Sequence, residues 1–174
     1  MGLTEPAERH LVHNRRISCS GYVRADGHFD IEAELIDSKT YDFPSDTHGT
    51  VYQNTPYHHM QVRITVDIDL IVTDAAAITL AGPYQICPQG AQSITNLIGL
   101  KIGPGWKRRV QTAIGGPSGC THITELTGPM ATTAYQTIGG EISRRHREQI
   151  EDDNLPETNQ DRSLKNSCIA FSQS

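Results

Sequence analysis

A chain of 174 residues, 36% hydrophobic and 20% charged, carries enough apolar side chain to bury one core without disulfide or metal staples. Its formal net charge of -5, with basic residues scattered apart from Lys107-Arg108-Arg109 and Arg144-Arg145-His146-Arg147, argues against a nucleic-acid partner. The opening MGLTEPAERH lacks a basic-then-apolar export pattern and no run of about eighteen apolar residues occurs, so neither export nor membrane insertion is expected and a cytoplasmic location follows.

In chain order, residues 1–16 read as a polar, loosely held arm. Ile17 to Arg24 and His28 to Ile36 are strand-like runs separated by Ala25-Asp26-Gly27, a hairpin signal because the turn needs positive φ and Gly supplies it. In the second run Phe29, Ile31, Ala33 and Leu35 alternate with Asp30, Glu32 and Glu34, giving one apolar and one acidic face. Asp42 to Pro56 is a long loop rich in turn formers, a place where lids and binding loops occur.

From Met60 to Val72 every second residue is apolar, which predicts a single long strand fading near Thr73-Asp74. Its other face carries His59, Gln61, Arg63, Thr65, Asp67 and Asp69; cross-strand ion pairs with Arg24, Asp30 or Glu32 account for the charged ones. After Cys87-Pro88 the period changes: Ala91, Ile94, Leu97 and Ile98 form a helical stripe with Pro88 in its first turn. A second helix is expected from about Gly105 to Ala113, with Trp106 and Val110 inward and Gly115-Gly116 ending it. Ser118 to Ile138 reads as two shorter helices broken at Gly128-Pro129, because proline removes a backbone donor and clashes with the preceding turn. A last polar helix follows from about Glu141 to Glu151, then a polar tail over 152–174. Strands first and helices afterwards make an α+β domain over 17–151: an antiparallel sheet of the N-terminal hairpin and the long strand, packed by the C-terminal helices.

Four irregularly spaced cysteines without an export signal point to free thiols, a metal site or catalysis rather than disulfides. Cys120, in Gly119-Cys120-Thr121-His122, falls at a helix entrance, where free amide donors and the positive end of the dipole favour a thiolate. His122 and Glu125, three apart on that helix, share a face and suit a base with its orienting carboxylate, or a ligand pair. Cys87 sits at another helix entrance, and two such thiols with an imidazole could build tetrahedral coordination for zinc or iron. His58 has the parity of Met60 and Val62 and so points inward, whereas His59 lies on the polar face. Tyr41 is a candidate donor in the pocket, and Trp106 is expected in the core.

The chain resembles the bacterial domain-of-unknown-function family 2889. The resemblance rests on Gly21-Tyr22-Val23-Arg24-Ala25-Asp26-Gly27, on Asp37-Ser38-Lys39-Thr40-Tyr41-Asp42-Phe43, on His58 and Met60 with Arg63, and on Cys87-Pro88, Gly105-Trp106 and Gly119-Cys120-Thr121-His122 with Glu125-Leu126. It implies that His58, Cys87, Cys120, His122 and Glu125 belong to a family pattern, and that Asn166-Ser167-Cys168-Ile169-Ala170 is a C-terminal Cys-His-Ala element with Ile169 in place of the histidine. No activity comes with it.

The expected function is therefore a small-molecule enzyme, a lyase or hydrolase acting on a small substrate, aromatic ones included, since no Rossmann or P-loop glycines are present. Cys120, His122, Glu125, His58 and Tyr41 are its candidate catalytic residues, and Cys87, Cys120, His122 and Cys168 a candidate ligand set for zinc or iron. The alternative is a metal- or ligand-binding accessory protein without catalysis; oligomerisation with further copies stays open.

Overall fold

The β1–β2 hairpin forms about the Asp-Gly turn: His13–Val23 (β1) pairs antiparallel with Phe29–Lys39 (β2), and Gly27 takes φ 87° between them. The computed structural model describes residues 2–150, with side chains through Arg144. Strand β1 begins at His13, ahead of Ile17, so residues 13–16 are not part of a loose arm. Because β2 extends to Lys39, the backbone of 13–16 finds hydrogen-bonding partners at 36–39, and that pairing rather than apolar burial extends the strand.

The single long strand expected from Met60 to Val72 is two strands, His58–Val66 (β5) and Val72–Ala81 (β6), paired antiparallel. Asp67 makes the turn between them: its Oδ1 accepts the N–H of Asp69 and of Ile71, both at 2.9 Å, and Leu70 adopts φ 65°. Apolar residues at every second position run on through Ile68 and Leu70 to Val72, across the turn, so apolar spacing alone could not reveal it; within β6 the buried positions shift to Ala75. Within the Asp42 to Pro56 loop, Phe43–Ser45 (β3) and Gly49–Val51 (β4) form a small hairpin of their own. Among the described residues the main sheet has the order β1-β2-β5-β6, antiparallel throughout.

Three α-helices follow: Cys87–Gln92 (α1), continued by a 3-10 turn over Ser93–Leu97, then Trp106–Ile114 (α2) and Thr121–Ile150 (α3). The break expected at Gly128-Pro129 does not occur; Pro129 lies inside α3. The missing N–H and ring clash cost about 3 kcal/mol. Ile123, Leu126, Met130 and Ile138 are each at most 3% exposed on one stripe of that helix, and burying such side chains contributes about 1.5–3 kcal/mol apiece, which outweighs the penalty. The separate helix expected from about Glu141 is the continuation of α3 as far as Ile150.

The core lies on one face of the sheet, an α+β arrangement. Phe29, Ile31 and Leu35 of β2 and Met60, Ile64 and Val66 of β5 face Ile94, Leu97, Val110 and the α3 stripe, all buried. Trp106, also buried, donates its indole N–H to the Thr127 carbonyl at 3.0 Å and ties α2 to α3. Helix α3 runs beside β1 so closely that a methyl group on Gly21 would stand 2.8 Å from Thr137 Cβ. On the opposite face Glu32 stands across from Arg63 and Arg24 pairs with Asp30 at 3.2 Å, whereas Asp67 serves the turn.

The chain divides into residues 1–139, which hold the sheet and core, and 140–174. In the second unit Arg144 grips the Glu141 carboxylate through Nε at 2.8 Å and Nη2 at 2.7 Å. Among the described residues no helix is long and apolar enough to cross a membrane. The tail over 152–174, with Cys168 and Ile169, lies outside the described residues.

Candidate functional site

The alternation that turns Phe29, Ile31, Ala33 and Leu35 toward the core carries on to Asp37, a carboxylate with 0% exposure. Its neighbours on the adjoining strands are Arg15 on β1 and His58 on β5, so one rung of the sheet reads Arg15, Asp37, His58. Arg15 binds the carboxylate with both arms of its fork, Nε to Oδ1 at 2.8 Å and Nη2 to Oδ2 at 2.7 Å. His58 Nδ1 lies 3.0 Å from Oδ2, and His13 Nε2 lies 3.3 Å from Oδ1.

Helix α3 completes the cluster from above. Cys120 immediately precedes it, and its carbonyl accepts the first helical N–H, from Thr124, at 2.9 Å. One turn of helix then sets the His122 ring 3.9 Å from the His58 ring, 36° from parallel, with His122 Nε2 3.9 Å from Asp37 Oδ2. The other nitrogen of that ring, Nδ1, is 3.8 Å from the Cys120 sulfur. Glu125 Oε2 accepts from Arg15 Nη1 at 2.6 Å.

Of the residues singled out from sequence, His58, Cys120, His122 and Glu125 are thus gathered around Asp37. Glu125 orients Arg15 rather than His122, whose carboxylate neighbour is Asp37. Cys87 takes no part in the cluster. It packs against Gly82, where an added methyl would meet its Cβ at 2.8 Å, whereas the backbone near Cys120 belongs to Gly90, farther along α1. The group of His, Cys, Asp and Glu whose donor atoms gather within 4.8 Å among the described residues is Asp37, His58 and His122, which includes neither thiol; Cys19, Cys87 and Cys120 are all free. Tyr41 is half-exposed and accepts from Lys39 Nζ at 3.2 Å, outside the Asp37 cluster. Cys168 falls beyond the described residues.

Asp37 and Arg15 were not among the sequence candidates, although a signal for Asp37 was present. It continues the inward parity of β2, and a carboxylate on an apolar face needs a partner. Arg15 had no such mark, since only pairing with β2 brings it opposite Asp37.

The electrostatics separate the groups. Burial acts to raise the Asp37 pKa, but the hydrogen bonds and charge of Arg15, with help from His58, outweigh it and hold the carboxyl below its ordinary range. Burial and the neighbouring His122 push His58 down from 6.5 against the pull of Asp37, favouring the neutral imidazole. Burial acts to raise the Cys120 thiol, yet the His122 hydrogen bond and the N–H groups of Ile123 and His122 bring it below 9.0. With Asp37 ionised, His58 Nδ1 carries the hydrogen it shares and Nε2 is left as the basic nitrogen.

These shifts have one sign for stability. A depressed folded pKa means that the unfolded chain binds protons first, so stability is complete above the ordinary pKa and declines below it. Urea titrations at a series of pH values should therefore show unfolding free energy starting to fall below about pH 6.5, where His58 charges in the unfolded chain, and falling again below about 3.8 as Asp37 does. A His58→Phe variant should lack the first decline; an unchanged profile in that variant would contradict the assignment.

The family model described as Protein of unknown function (DUF2889) matches residues 13–136, from the first residue of β1 into α3 and across every residue of the Asp37 cluster. No curated protein and no solved structure matches the chain.

Proposed function

We propose that this chain, which belongs to the DUF2889 family of proteins of unknown function, is a small-molecule hydrolase or lyase working by acid/base and thiol chemistry at the Asp37 cluster. The observation that carries the reading is the pair of imidazoles 3.9 Å apart with different partners, His58 on a buried carboxylate and His122 on a thiol. That division supplies a base and an acid side by side in one cluster.

In the hydrolytic form the Cys120 thiolate adds to an acyl carbon and the leaving oxygen departs with a proton from His122. His58 Nε2 then takes a proton from water, whose oxygen attacks the thioester and releases the acid and the thiolate. In the lyase form His58 removes a proton beside a carbonyl, and the group leaving from the next carbon takes its proton from the Cys120–His122 pair. In both, Asp37 positions His58, while Arg15, itself held by Glu125, positions Asp37.

A panel of small aryl esters and β-hydroxy carbonyl compounds tests this directly. Wild-type protein should turn over at least one member, and Cys120→Ser should lower that rate by about 10²-fold or more. With an ester substrate, intact-mass spectrometry of His58→Gln should catch an acyl adduct on Cys120. Full turnover on a verified substrate by both Cys120→Ala and His122→Ala would end the proposal.

A second reading is favoured by one measurement: the donor atoms of Asp37, His58 and His122 lie within 4.8 Å of one another. Two imidazoles and a carboxylate suit zinc or ferrous iron, which would polarise a carbonyl or activate water in place of the free bases. Elemental analysis separates the two: one equivalent of metal, lost in His122→Ala, would favour this second reading over the first.

A further inference from the structure

Tyr57 stands between the Asp37 cluster and a cavity of about 440 Å³, its ring 4.5 Å from that of His58 while it also lines the cavity. Phe43, Tyr52, Leu80, Pro83 and Tyr84 supply other walls, drawn from the β3–β4 hairpin, the end of β6 and the lead into α1. The hairpin is clasped over this space by His48 Nε2 on the Gly82 carbonyl at 3.0 Å and by the Thr47 hydroxyl on the Pro83 carbonyl. A volume of this size is ordinary for small-molecule pockets, and three tyrosines with a phenylalanine form flat surfaces suited to stacking. Tyr52 and Tyr84 remain 66% and 61% exposed, a large apolar surface for a protein to leave uncovered at a concavity.

Beside two of this cavity's walls stands a cation without a carboxylate partner among the described residues, and in its lining a buried hydroxyl without a hydrogen-bond partner. Lys39 Nζ stands 4.6 Å from the centroid of Phe43 and 5.8 Å from that of Tyr57, both cavity walls, and donates to the Tyr41 hydroxyl at 3.2 Å. Among the described residues no carboxylate forms an ion pair with it. Thr79, on the floor of the cavity, has a buried Oγ1 with no hydrogen-bond partner among the described residues.

We infer that this cavity binds a small aromatic carboxylate, its ring between the tyrosine and phenylalanine faces and its acid group on Lys39. The apolar walls supply the area, the cation supplies the discrimination between an acid and its neutral analogue, and Tyr57 is the wall this cavity shares with the His58 end of the cluster. The inference deepens the acid/base reading by naming a substrate class, and rests on that reading for the claim that the bound acid is the substrate.

Calorimetric titration of the full chain with biphenyl-4-carboxylate, and in parallel with the neutral biphenyl-4-methanol, tests it. One equivalent of the acid should bind saturably and about tenfold tighter than the alcohol. Lys39→Met, which keeps the apolar stem on the rings, should erase that difference, and Tyr84→Ala should weaken both ligands by about tenfold. Cys120→Ser should bind as the wild type does. Equal melting temperatures for the variants and the wild type establish that folding is unaffected. Absence of saturable binding, or selectivity that survives Lys39→Met, overturns the inference. The two failures are separable: tight binding without turnover of any aromatic acid derivative would sink the catalytic reading and leave the pocket, whereas Cys120-dependent turnover without acid binding would do the reverse.

Discussion

Asp37→Asn is expected to destabilise the protein by about 3–5 kcal/mol, the cost of breaking a buried ion pair from one side, and to lower its melting temperature by roughly 10 °C. The carboxylate has no exposure and Arg15 meets both of its oxygens, so the amide that replaces it keeps the shape but gives up the charge and one of the two acceptors. Arg15 is then left with Glu125, which is much more exposed and therefore screened. His58 and His13 lose their common acceptor as well. Thermal and urea unfolding of wild type and variant provide the measurement. A midpoint within about 1 °C of the wild type would mean that the rung joining β1, β2 and β5 is not held by this carboxylate. Glu125→Gln, at the exposed end of the same network, should cost less than about 1 kcal/mol, and that contrast locates the energy at Asp37.

The largest effect on turnover is expected from His58→Gln, which should lower kcat by about 10²–10⁴-fold on any substrate the wild type accepts. Glutamine keeps a polar side chain of similar reach but has no basic nitrogen. The wild-type pH profile carries the same information. His58 must be neutral to accept a proton, and burial with the nearby His122 holds its pKa below 6.5, so kcat should stay level through pH 6.5 and fall only on the acid side of it. A fall centred above 6.5 would place a different group in the role of base. In the lyase form, where the thiol gives up a proton, activity should also fall at alkaline pH, below the ordinary thiol value of 9.0 because Cys120 is depressed. A thiolate nucleophile would instead gain as pH rises through that value, so the alkaline limb distinguishes the two forms of the reaction.

The parts of the site that were legible in the sequence share a feature: each depends on residues close together in the chain. Cys120 lies at a helix entrance because Gly119 and the following apolar stripe mark one, and His58 points inward because its strand parity is that of Met60 and Val62. Arg15 became legible only when β1 was laid beside β2, because nothing within the first sixteen residues distinguishes one arginine from another. Cys87 is the opposite case: its local signal equals that of Cys120, yet its sulfur is not among the donors gathered around Asp37.

By itself the sequence determined the α+β class, the Asp-Gly hairpin, the helix after Cys87-Pro88, the helix around Trp106 and the buried face of the sheet, since turn chemistry and apolar period act over a few residues. Tertiary structure decided that the alternation from Met60 to Val72 folds back at Asp67, that Pro129 is carried inside one long helix, and that a carboxylate from β2 is the hub for an arginine and three histidines from three other elements. Those outcomes depend on energies of packing and charge pairing between distant segments, and such energies exist only once the segments have met.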